Sequence, residues 1–191
     1  MSDQTKERFD LELYIYKLLE DEPFFAALSR RINKSKSTAV STAGVRINPN
    51  TGRFEMVYNP EFFEKLTPKE RRGVLKHEFY HLVFEHVTGR LPPEGLTKMW
   101  NVATDLAINS HLIGELPEGG CFPQQAPFED YPLEQSAEWY FNKLKNDEQF
   151  QPKPENGDDD GQGGEGDGQG DPSGGAGDGL PDTIDDHSGW G

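Results

Sequence analysis

Only one cysteine, Cys121, stands in 191 residues, so no disulfide can form within the chain and it does not read as a disulfide-stapled fold. Long apolar runs are missing as well. None approaches the roughly 20 residues that cross a bilayer, and Met1-Ser2-Asp3-Gln4 opens no apolar signal segment. The expected setting is the cytoplasm, without a membrane partner. Basic residues are scarce: 19 Lys and Arg face 34 Asp and Glu, and a net charge of −15 argues against nucleic acid as a partner.

Much of that charge sits at one end. Residues 151–191 hold 13 of the 21 glycines, and 11 acidic residues there are opposed by Lys153 alone. Such a stretch has too little apolar surface to offset the entropy of ordering, so residues 149–191 are expected to form a disordered acidic tail or linker, with a protein partner as one use for it. Asp158-Asp159-Asp160 and the Gly/Asp run after it have calcium-repeat composition but lack the nonapeptide period. Asp186-His187-Ser188-Gly189-Trp190 reads as the start of a recognition segment or of a further module. Residues 1–148 then make one domain, long enough for a real core.

Within that domain, His77-Glu78-Phe79-Tyr80-His81 is an H-E-x-x-H pentapeptide. Two histidines four residues apart on a helix differ by only about 40° of rotation and one turn of rise, so both imidazoles reach one metal ion. The expected ion is Zn²⁺. Glu78 then stands beside the metal, placed to take a proton from a water held there. A lone pentapeptide is a weak signal, and the residues around it decide whether it marks a metal site. Thr67-Pro68-Lys69-Glu70 is a capping box with a proline start, and Thr88-Gly89 is the expected stop, which predicts a helix of roughly twenty residues. On such a helix His86 points away from His77 and His81, and it reads as a histidine favoured by the negative helix end.

A catalytic zinc needs a third protein ligand and one open position. The next helix, from Lys98 to Ile113 with Gly114 as its stop, carries Asn101, Asp105 and Asn109 as a polar stripe on an otherwise apolar rod. An antiparallel return brings Asp105 level with the two histidines, so Asp105 is assigned as third ligand. Asn109, one turn on, is placed to hydrogen-bond the far nitrogen of a ligating histidine, and Asn101 belongs to the same stripe. His111 is the rival ligand, about 120° away from Asp105, and is read instead as a residue of the pocket rim that stabilises an oxyanion. Tyr58, Tyr80, Tyr131, Tyr140 and Arg90 are alternatives for that role. Cys121 reads as an ordinary free thiol rather than an inhibitory thiolate.

Upstream, residues 4–21 show helical spacing of Leu11, Tyr14, Ile15 and Leu18, and Pro23 starts a shorter helix. Alternation then suggests two or three antiparallel strands, at Ala39–Ser41, Val45–Ile47 and Phe54–Tyr58, with Lys34-Ser35-Lys36-Ser37 as a break before them. The expected fold is α+β: a small antiparallel sheet packed on the H-E-x-x-H helix and on a second ligand-bearing helix.

Three segments together resemble a metallopeptidase-type domain family of bacteria and phages: Tyr58-Asn59-Pro60-Glu61-Phe62-Phe63; Gly73-Val74-Leu75-Lys76-His77-Glu78 with His81 and His86; and Trp100 to Asn109. With Leu116–Gly120 and Ser136–Tyr140 the likeness covers about residues 5–147. It implies a compact zincin-like fold, zinc on His77, His81 and Asp105, Glu78 as base, and often a following von Willebrand factor A-like module. The expected function is a zinc-dependent endopeptidase acting on a peptide or protein substrate. The alternative is a catalytically silent zinc-bound module that serves a protein partner through its acidic tail.

Overall fold

The computed structural model describes residues 9–150 together with residues 180, 181 and 183. The chain runs α1 (Leu11–Asp21), α2 (Pro23–Ser29), β1 (Ile32–Lys36), β2 (Ala43–Ile47), β3 (Phe54–Tyr58), α3 (Pro60–Lys65), α4 (Pro68–Val83), α5 (Lys98–Asn109), α6 (Ala137–Asn146) and a single 3₁₀ turn, Glu148–Phe150. Each helix bearing on the site starts at a side-chain cap. Thr67 accepts from the Glu70 amide while the Glu70 carboxylate accepts from the Thr67 amide, closing the expected capping box. These bonds hold Glu70 below its usual carboxylate range. Thr97 and Ser136 cap α5 and α6 by their side chains alone, accepting from the Trp100 and Trp139 amides.

The sheet is mixed, which corrects the antiparallel expectation. Its order is β1-β3-β2, with β1 parallel to β3 and β2 antiparallel to it. The first strand lies at Ile32–Lys36, across the segment read as a break, whereas residues 39–41 form bends. The reason lies in its position at the sheet edge, where only Ile32 is buried and hydrophobic alternation is not required. Lys34 folds back so that its ammonium donates to the Ser29 and Ile32 carbonyls at 2.7 and 3.0 Å. The β2–β3 hairpin turns on Asn48, whose side chain accepts from the Asn50 and Thr51 amides, and on Gly52 at φ 66°.

Two cores flank the metal-motif helix. One gathers Leu18 of α1, Met56 of β3, Phe63 of α3, and Val74, Leu75 and Phe79 of α4. The other gathers Trp100, Val102 and Leu106 of α5 with Tyr140 and Leu144 of α6. α5 joins them: Trp100 through Asn109 are all buried, and Ile108 packs with the first core while Leu106 packs with the second. Phe150 and Leu180 close the second core, and the Lys98 ammonium donates to the Leu180 carbonyl at 2.9 Å. The fold thus extends past residue 148 and takes in part of the segment read as tail. The disorder expected for the rest of that segment, and Asp186–Trp190, fall outside the described residues.

Two contacts lock α4 in place. Lys76, nearly buried, lies between Glu22 at 2.8 Å and Glu115 at 2.6 Å. Burial alone draws the ammonium pKa down, but the two carboxylates more than offset it and leave Lys76 above its usual value. One turn earlier, a Cβ on Gly73 would lie 2.1 Å from the Glu115 carbonyl oxygen. Only glycine lets the chain beyond α5 approach α4 that closely.

Candidate metal centre

The middle of α4 faces the middle of α5. His77 meets Asn109, both His77 and His81 meet Asp105, and the ring of His86 lies beside Trp100, so ascending α4 means descending α5. This is the expected antiparallel return. His77, Glu78, Asp105 and Asn109 are 0% exposed and His81 is 1% exposed. Four ionisable side chains buried this completely are rare unless they serve one another or a ligand.

The donor atoms form a tight triangle. His77 Nε2 and His81 Nε2 are 3.1 Å apart, and they lie 3.5 and 3.7 Å from Asp105 Oδ1. A tetrahedral ion with bonds of about 2.0–2.1 Å needs donors about 3.3 Å apart. The triangle matches one face of such a tetrahedron, so the residues present fit a small divalent cation. Among the described residues, this is the group of histidine, cysteine and carboxylate donors close enough to share an ion.

Asn109 decides which nitrogen of His77 faces that triangle. Its Nδ2 donates to the Cys121 carbonyl at 2.8 Å, and a carbonyl can only accept. The amide oxygen therefore faces His77 Nδ1 at 2.9 Å and takes its N–H. That places the lone pair of His77 on Nε2, toward His81 and Asp105. Cys121 thus enters the site through its backbone, in a buried position.

The other expected site residues are distributed differently. Asn101 is 9% exposed, and its side-chain oxygen has no hydrogen-bond partner among the described residues. His111 is exposed and lies outside the donor triangle, with its ring 6.1 Å from Tyr80 and 6.0 Å from Phe84. It lines a cavity of about 250 Å³ together with Phe84, His86, Arg90, Ala107 and Glu134. Arg90 is paired bidentately with Glu138, and that guanidinium holds the Glu138 carboxyl below its usual value. Tyr131 donates to Asp147 and Tyr140 to the Pro132 carbonyl, both within the second core. Tyr58 packs against Phe63 in the first core, and Tyr80 against Phe25 and Phe84.

His86 lies elsewhere than an uninterrupted helix would put it. α4 stops at Val83, well short of Gly89, because Glu85 takes the left-handed conformation at φ 58°. The Glu85 amide donates to the Leu82 carbonyl at 3.2 Å and the His86 amide to the His81 carbonyl at 2.9 Å. This pair of bonds is a Schellman motif, which folds the chain back over the last turn. His86 is therefore 1% exposed, with its ring 5.5 Å from that of His81, rather than on the far face of a longer helix.

A helix-borne pair of histidines and a carboxylate from the neighbouring helix, buried in an α+β domain, make a donor set with the spacing to hold a metal ion. The chain belongs to the family described as "Putative metallopeptidase domain", whose sequence profile matches residues 6–188. A stretch of 62 residues, 32% of this chain, is 34% identical to an uncharacterized protein of Thermotoga maritima and covers 16% of that protein's length. The chain thus spans much less than two thirds of this relative. No solved structure matches it. Among the described residues, no helix is long and apolar enough to cross a membrane.

Proposed function

We propose that this chain is a zinc-dependent peptidase of zincin-like architecture, with His77, His81 and Asp105 as the metal ligands and Glu78 as the general base. The observation that supports it most is the triangle of donors with edges of 3.1, 3.5 and 3.7 Å, set on the helix that also carries Glu78. Zn²⁺ bound there supplies a Lewis acid that acidifies a water and polarises a carbonyl. The chain's own residues do the rest. Asn109 holds His77 in the tautomer that presents Nε2. Glu78 accepts the proton of the attacking water and passes it to the leaving amine, and its burial excludes competing solvent.

Three protein donors leave one position of a tetrahedron for water or substrate, the pattern of catalytic rather than structural zinc. This favours the peptidase over a silent module whose acidic tail serves a partner. The test is incubation of Zn²⁺-loaded protein with a library of unstructured peptides. Cleavage that stops with a chelator and returns on adding Zn²⁺ is expected. Stoichiometric zinc with every peptide left intact would overturn the reading.

A further inference from the structure

We propose that His86 is a substrate-facing residue of the metal centre, donating an N–H to the oxygen that gains negative charge when a peptide carbonyl is attacked; this rests on the peptidase reading. Three features of the structure converge on it. The Schellman motif bonds the His86 amide to the carbonyl of His81, one of the three donors, and so sets residue 86 against residue 81 by backbone geometry alone.

Second, the position is held from the other side. Trp100 Nε1 donates to the His86 carbonyl at 3.1 Å, and the Trp100 ring stands nearly perpendicular to the imidazole at 6.1 Å. A residue fixed by α4 and α5 together keeps its place to the tolerance that transition-state stabilisation requires. The turn uses a non-glycine residue, Glu85, at φ 58°, in the left-handed region that side chains rarely adopt. Backbone strain of this kind concentrates where a side chain must be aimed.

Third, His86 lies beside one of the donor residues and also lines the open space. Its ring is 5.5 Å from that of His81, and it also lines the cavity of about 250 Å³ between Phe84, Ala107 and His111. That volume accommodates about one large side chain of an extended peptide. A peptide residue seated there would place its neighbouring carbonyl beside His86. His111, which the sequence suggests for this role, also lines this cavity and is exposed. It is placed to meet the substrate side chain, while His86 meets the reacting carbonyl.

Oxyanion donors act on the transition state and leave ground-state binding largely untouched. In His86→Gln and His86→Ala, kcat is therefore expected to fall about 10²–10³-fold in the alanine variant, less in the glutamine variant, which keeps an N–H donor. KM and zinc content should stay near native. A peptide phosphonate, which carries the tetrahedral oxyanion, should lose affinity in parallel with kcat, whereas the cleaved product peptide should not. Circular dichroism shows whether each variant is folded, and the glutamine variant supplies the reading should alanine disturb the core. Folded variants with kcat and phosphonate affinity within about threefold of native would overturn the proposal, as would variants that lose zinc. If native protein cleaves nothing, the peptidase reading falls by itself. The phosphonate comparison, which needs no turnover, still decides His86: equal affinity in native and variant removes it from the site.

Discussion

Glu78→Gln should retain one metal ion per chain and lose peptide hydrolysis by about 10²–10⁴-fold, the usual contribution of a positioned general base. The side chain sits on α4 between the two metal-motif histidines and is fully buried. Glutamine fills almost the same volume, so the fold and the donor triangle stay intact. An amide oxygen, however, cannot carry the proton that a carboxylate takes from water and returns to the leaving amine. Steady-state cleavage of a peptide found in the library screen, beside metal analysis of the same samples, measures both quantities. Activity in Glu78→Gln within tenfold of native would remove Glu78 from the proton transfer.

Asp105→Ala is expected to abolish stoichiometric metal binding. Asp105 supplies the one anionic donor of the three, and its loss leaves two imidazoles on a single helix. With roughly 10–16 kcal/mol shared among the ligands of a structural zinc site, one ligand accounts for about 3–4 kcal/mol, or about 10²–10³ in affinity. A second consequence separates this variant from one that merely unfolds. Asp105→Ala removes a 0%-exposed carboxylate that lies 3.5 and 3.7 Å from the two histidines, so the metal-free variant is first shown to be folded by its own cooperative thermal transition. Only native protein should gain stability from added Zn²⁺, about 2.7 kcal/mol at a free concentration 100 times Kd. Thermal unfolding with and without Zn²⁺ reads both effects. A Zn²⁺-dependent rise in Tm of native size in Asp105→Ala would transfer the third ligand elsewhere.

The donor set was legible because every step in it is local or helical. The capping box fixed the start of α4, the i, i+4 spacing put His77 and His81 on one face, and the polar stripe on α5 singled out Asp105 and Asn109. Those signals survive folding because α4 and α5 are regular over the stretch that matters. The misreadings fall where tertiary structure overrides local preference. β1 pairs parallel to β3 with only Ile32 buried, so its sequence carries no strand alternation. Glu85 adopts a conformation that sequence assigns to glycine, and Gly89 four residues on offered the more obvious stop. That one residue moved His86 from the far face of a helix to the side of His81. Leu180 lies in a glycine-rich acidic context and packs in the second core through contacts with α5 that no local pattern announces.

His77, His81 and Asp105 are expected to share one cation, and X-ray absorption at the zinc edge of Zn²⁺-loaded native protein tests that most directly. The predicted spectrum has two imidazoles and oxygen donors at about 2.0–2.1 Å, with no sulfur. A sulfur scatterer at about 2.3 Å, which would bring in Cys121, or fewer than two imidazoles around the ion, would contradict it.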